Sequence, residues 1–93
     1  MDALWVDKGA GRAGIGAETL RLTPSELSVL AVLADAGGRV VPRTELARSA
    51  GLVGMSARRC EAALVGVRHA LGPDVVVNVR GRGWRLAMPA TAS

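Results

Sequence analysis

Three groups of side chains in this 93-residue sequence have types and spacings that could do chemistry. The first is Gly9-Ala10-Gly11-Arg12-Ala13-Gly14, which follows the strand-like Leu4-Trp5-Val6 and spells the GxGxxG pattern that cradles a dinucleotide pyrophosphate. That chemistry needs a helix directly after the loop and a parallel sheet beneath it. No helical periodicity follows Gly14, so the stretch reads as a flexible hairpin loop and no cofactor is expected. The second group is Cys60 with His69. One cysteine and one histidine cannot complete a tetrahedral zinc site, and no residue makes a catalytic pair with either, so neither a metal centre nor an enzyme is expected. Cys60 falls on an apolar helical stripe and reads as a small core residue. His69 falls on the outward side, within reach of a phosphate but read first as a surface histidine. The third group is arginine: Arg58, Arg59 and Arg68 along one helical stretch, then Arg80 and Arg82 in Arg80-Gly81-Arg82-Gly83. Guanidinium forks suit bidentate contact with phosphates and base edges.

Eleven of the twelve basic residues are Arg, and the net charge is +4. A GC-rich genome also favours Arg, and the abundance of Ala, Gly and Val fits that account, so the bias alone does not choose between them. Placement has to decide.

The elements that must position these arginines are legible in turn. Leu4–Val6, Arg12–Ile15 and Thr19–Leu22 are short extended candidates separated by glycines, which predicts a small antiparallel sheet. Thr23-Pro24-Ser25-Glu26 combines an N-cap, a proline at the first helical position and a glutamate at the third, a capping box that opens a helix from Pro24 to about Ala36. Leu27, Leu30, Ala31 and Ala34 give it helical spacing, and Gly37-Gly38 ends it. Arg39-Val40-Val41 is a short extended link. Pro42 opens a shorter helix with Leu46, Ala47 and Ala50 inward, closing at Gly51, and Leu52–Met55 is a brief connection. Ser56 caps a third, longest helix whose Cys60, Leu64, Val67 and Leu71 share one face and which stops at Gly72-Pro73. Val75, Val77 and Val79 alternate with other residues, the Arg80–Gly83 stretch turns the chain, and Trp84-Arg85-Leu86 completes a terminal hairpin. Trp84 is expected to pack the last strand onto the core, and Trp5 to take a core or sheet-packing role. Residues 1–87 are read as one domain and residues 88–93 as a disordered tail.

Length and composition bound the class. Ninety-three residues support one hydrophobic core, and with two Trp and no Phe or Tyr that core must be built from Leu, Val, Ala and Ile. A single cysteine rules out an internal disulfide and points to a reducing cytoplasm. No apolar run approaches the ~20 residues of a membrane span, and Asp2 and Asp7 replace the basic start of an export signal. No membrane partner is expected.

A short helix, a tight connection, a longer helix and a basic hairpin form the layout of a winged helix-turn-helix, an α+β fold. At these residues the chain resembles the DNA-binding effector domain of OmpR/PhoB-type response regulators. LTPSELSVLAVLADAGGRVVPRTEL resembles that family's first two helices, RRCEAALVGVRHALG its recognition helix, and VVVNVRGRGWRL its wing, the last being the most specific piece. The resemblance covers Leu4 to Leu86. It implies a bacterial transcription regulator in the cytoplasm, associated with the nucleoid, that binds double-stranded DNA with its third helix in the major groove and its wing on the backbone or minor groove. Arg58, Arg68 and Arg80 match family positions that contact DNA, and Asn78 is a polar substitute at another. Arg59 and Arg82 join them on charge and placement.

The departures from the family are equally specific. Where relatives present basic or polar side chains, this helix has Ala63, Val65, Gly66 and Ala70, so an outward face of Ala62, Val65 and Gly66 offers methyl contacts to thymine and few hydrogen bonds. The same face could serve as a protein contact, which is the rival reading: a winged helix acting as an interaction or regulatory module, including as the tail of a larger protein. The family's longer loop between the second and third helices can touch RNA polymerase, and here it is trimmed to Gly51–Met55. The resemblance also implies a second copy of the chain on DNA as a partner, and a regulatory protein as a further one.

Overall fold

A computed structural model of the chain describes residues 3–49 and 57–92. The connection Gly51–Met55 and the cap at Ser56 therefore lie outside the described residues. The elements run β1 (Leu4–Asp7), β2 (Arg12–Ile15), β3 (Glu18–Thr19), α1 (Pro24–Asp35), α2 (Arg43–Ser49), α3 (Ala57–Leu71), β4 (Val76–Val79), β5 (Gly83–Leu86) and β6 (Ala90–Ala92).

The amino-terminal strands form the expected antiparallel meander, with Leu4 opposite Ile15 and Gly14 opposite Thr19. Because side chains alternate along a strand, Leu4, Val6 and Ala13 enter the core while Trp5 lies on the other face. The Trp5 indole donates to the Gly16 carbonyl at 2.9 Å, which fixes it against the sheet as expected. The GxGxxG stretch lies in this hairpin and leads into another antiparallel strand, so it has neither the helix nor the parallel sheet of a dinucleotide site.

One correction concerns the carboxy terminus. Residues 88–93 were expected to be disordered, yet Ala90–Ala92 pairs in parallel with β1, and the Leu4 amide donates to the Pro89 carbonyl at 3.2 Å. The sheet order is therefore β3-β2-β1-β6. The physical reason is that β1 would otherwise leave a row of open backbone groups on one side, and small residues suffice to fill that ladder. Ser93 lies outside the described residues.

The capping box at α1 is present in both directions: the Glu26 amide donates to Thr23 Oγ1 at 3.2 Å and the Thr23 amide to Glu26 Oε1 at 2.9 Å. Val29, Leu30 and Leu33 of α1 are fully buried, in one core with Leu46 of α2 and Leu64 and Val67 of α3. In β4 the inward residue is Val76, whereas Val75, Val77 and Val79 are only half-buried. Val76 is set opposite Leu86, and both sides of that pair face the helices. A run of five adjacent positions in which four are valine hides its phase, which is why the alternation alone does not identify Val76.

A pair of backbone hydrogen bonds ties the hairpin to the link before α2. Val41, in the link before α2, donates to the Trp84 carbonyl at 2.7 Å and accepts from the Trp84 amide at 3.0 Å. Trp84 is buried beside it, as expected. Gly83 makes this approach possible: its φ is +147°, and a Cβ there would strike the Val41 carbonyl oxygen and lie 2.9 Å from Pro42 Cα. Gly83→Ala should therefore destabilise the fold by at least about 2 kcal/mol, a fall in Tm of roughly 10 °C for a domain of this size. Thermal unfolding followed by circular dichroism reads this directly, and an unchanged Tm would refute the contact.

Candidate nucleic-acid interface

The outer surface of α3 follows from its periodicity. Cys60, Ala63, Leu64 and Val67 are buried, so at 100° per residue the opposite stripe consists of Arg58, Ala62, Val65 and His69, all exposed. Arg59 is exposed on one flank, beside a shallow groove with Thr23, Ser25 and Glu26 at the start of α1. Arg68 is exposed on the other flank. Cys60 lies beneath, in the core, where burial pushes its thiol pKa up and so keeps it protonated and unreactive at neutral pH. His69 is on the surface, as read from the sequence.

Gly66 is not part of the outer face. A Cβ built on it would strike Glu26 Oε2 and lie 2.6 Å from Glu26 Cδ. The same glutamate closes the α1 capping box through its other oxygen, so at Gly66 α3 passes close over the start of α1. The expectation that Gly66 offers an outward surface is corrected: small size here serves helix-to-helix approach.

In the hairpin, Arg80, Gly81 and Arg82 form the tip, with the Arg82 amide donating to the Val79 carbonyl at 2.9 Å and Gly81 at φ +75°. Both arginines are exposed. Asn78 pairs with Trp84 in the ladder but is exposed, because the core ends short of the hairpin tip. The wing side of α2 shares a groove with it, lined by Arg43, Thr44, Asn78, Arg82 and the Gly81 backbone.

Ion pairing separates the cations into two sets. Lys8 pairs with Asp35 at 3.0 Å, Arg39 with Glu45 at 2.9 Å, Arg43 with Glu61, and Arg85 donates to the Gly38 carbonyl at 3.1 Å. The Arg39 guanidinium holds the Glu45 carboxyl below its usual range by a direct hydrogen bond. Among the described residues Arg58, Arg68, Arg80 and Arg82 have no such partner, and neither do Arg12 and Arg21 on the amino-terminal strands and the link before α1. The Arg43–Glu61 pair, which ties α2 to α3, has no counterpart in the sequence reading. Its members sit on different helices, so no local spacing signals it.

No family model and no curated protein sequence matches the chain. Solved structures do match. The DNA-binding domain of the response regulator AdeR, in complex with an intercistronic region, shares 24% identity over 96% of this chain and 98% of that one, with a TM-score of 0.81. The RstA DNA-binding domain of Klebsiella pneumoniae, in complex with the RstA box, shares 24% identity over 88% of each chain at a TM-score of 0.74. The CpxR DNA-binding domain of E. coli shares 26% identity over 95% of this chain and 90% of that one at a TM-score of 0.71.

The Gly66 contact gives a test. Gly66→Ala gains about 1 kcal/mol of helix propensity but must displace the Glu26 carboxylate, weakening the capping box by about the same amount, so Tm should stay near the wild-type value. In a Glu26→Ala background, where nothing is displaced, the same change should raise Tm by several degrees, as expected for residues in direct contact. Equal effects in the two backgrounds would contradict it. With three helices among the described residues, a mixed amino-terminal sheet and a carboxy-terminal hairpin tied to Val41, the chain has the winged-helix fold of the DNA-binding domains of OmpR/PhoB-type response regulators.

Proposed function

We propose that this chain binds double-stranded DNA as the effector domain of a bacterial transcription regulator, acting by binding and not by catalysis. The observation that carries the reading is the placement of exposed guanidinium groups, unpaired among the described residues, on α3 (Arg58 and Arg68) and on the hairpin that follows it (Arg80 and Arg82). A folded chain gains little by leaving such groups without counter-charge, whereas a polyanion gains from them by releasing its condensed counterions. The DNA complexes of the AdeR and RstA domains, which share the fold, support the same partner.

In this reading α3 enters the major groove with Arg58 and Arg59 near its amino end, where a guanidinium reaches guanine bidentately. Arg68 anchors a phosphate. Arg80 and Arg82, with Asn78, engage the adjacent backbone or minor groove. A second reading, a protein-interaction module, is favoured by Val65, which is 58% exposed on the face that would meet a partner.

Selection of the purified chain against random duplexes at near-physiological salt distinguishes the two. Enrichment of a motif supports a sequence-specific regulator, and failure to retain any duplex would turn the assignment to the interaction module. Within the first reading, Arg80→Ala should weaken binding to all duplexes alike and reduce the slope of log K against log salt by about one. Titration at several salt concentrations measures it, and an unchanged slope would remove the wing from the interface.

A further inference from the structure

The outer stripe of α3 is chemically uneven. Arg58 and His69 stand at its ends, and between them Ala62 and Val65 present only methyl groups. Val65 is 58% exposed, the one large aliphatic side chain so exposed among the described residues. Gly66, directed at Glu26, contributes nothing to this face, so the middle of the stripe has no donor or acceptor of its own.

We propose that Val65, seconded by Ala62, reads the 5-methyl group of thymine in the major groove; this rests on the duplex-binding reading above. Among the four bases only thymine carries a methyl on its major-groove edge, and an apolar side chain can recognise it without a hydrogen bond. Val65 lies two helical turns beyond Arg58 on the same stripe, so the base it meets differs from the one Arg58 meets. Burying one methyl-sized group supplies about a four-fold preference, so the thymine step is a modest but measurable determinant.

The test removes the methyl from the DNA and then its contact from the protein. Two random duplex pools, one made with thymidine and one with deoxyuridine in its place, are selected on the same chain. The thymidine pool should yield a motif with a preferred thymine, and the deoxyuridine pool should lose the preference at that position. On a single selected duplex, replacing that thymine by uracil should weaken binding by the wild-type chain about four-fold and leave binding by Val65→Ala unchanged. Val65 touches solvent, so this variant should keep the wild-type circular dichroism and Tm. Equal enrichment in both pools, or discrimination that persists in Val65→Ala, overturns the proposal while duplex binding stands. Failure to retain either pool overturns the duplex-binding reading and this inference together.

Discussion

Two hydrogen bonds between Val41 and Trp84 decide where the hairpin stands relative to the helices. Without them β4 and β5 would be a two-stranded ribbon, marginal by itself in water, held to the body only by its buried side chains and the Arg85 bond to Gly38 and with no backbone tie to set its angle. Val41 closes the ribbon from its outer side, the absence of a Cβ at Gly83 lets the backbones meet, and burial of Trp84 and Leu86 fills the space beneath. The cationic tip is consequently held by short-range packing a few residues away. A flexible loop could carry the same arginines but would lose conformational freedom whenever it met a ligand.

The features of this fold that sequence reveals are those governed by local rules. The capping box at Thr23 to Glu26 involves four consecutive residues, and the inward stripe of α3 repeats at the helix's own period, so both are readable without a partner. What sequence conceals depends on contacts distant in the chain. The parallel strand Ala90–Ala92 has no pattern of its own and exists because β1 has an open side. Gly66 reads as outward surface with Ala62 and Val65 and instead lies against Glu26 of α1, a contact visible only when both helices are in place. The Arg43–Glu61 pair joins two helices. For the candidate site, residue type and approximate placement of the six polar residues are readable. The division of cations into paired and unpaired sets is not, since it requires knowing which carboxylates come near.

That division matters because four of the eight acidic side chains are used internally, in ion pairs or a helix cap. Asp35, Glu45 and Glu61 each hold a cation, and Glu26 is engaged in its cap. Exposed pairs of this kind add little stability one by one. Their larger effect is on the field around the molecule. Neutralised pairs contribute little at a distance, so the positive potential arises from the unpaired arginines, on α3 and the wing among others.

The strand that closes the sheet beside β1 also has a mechanical consequence. β6 runs parallel to β1 in the register Leu4 with Ala90, Trp5 with Thr91 and Val6 with Ala92. Tension applied to the start of one strand and the end of the other pulls along the ladder, so its bonds share the load and must give way together. Antiparallel β4 and β5, drawn from their open end, would instead unzip bond by bond. A short run of alanine and threonine thus serves as a shear clasp between the two extremities of the described chain.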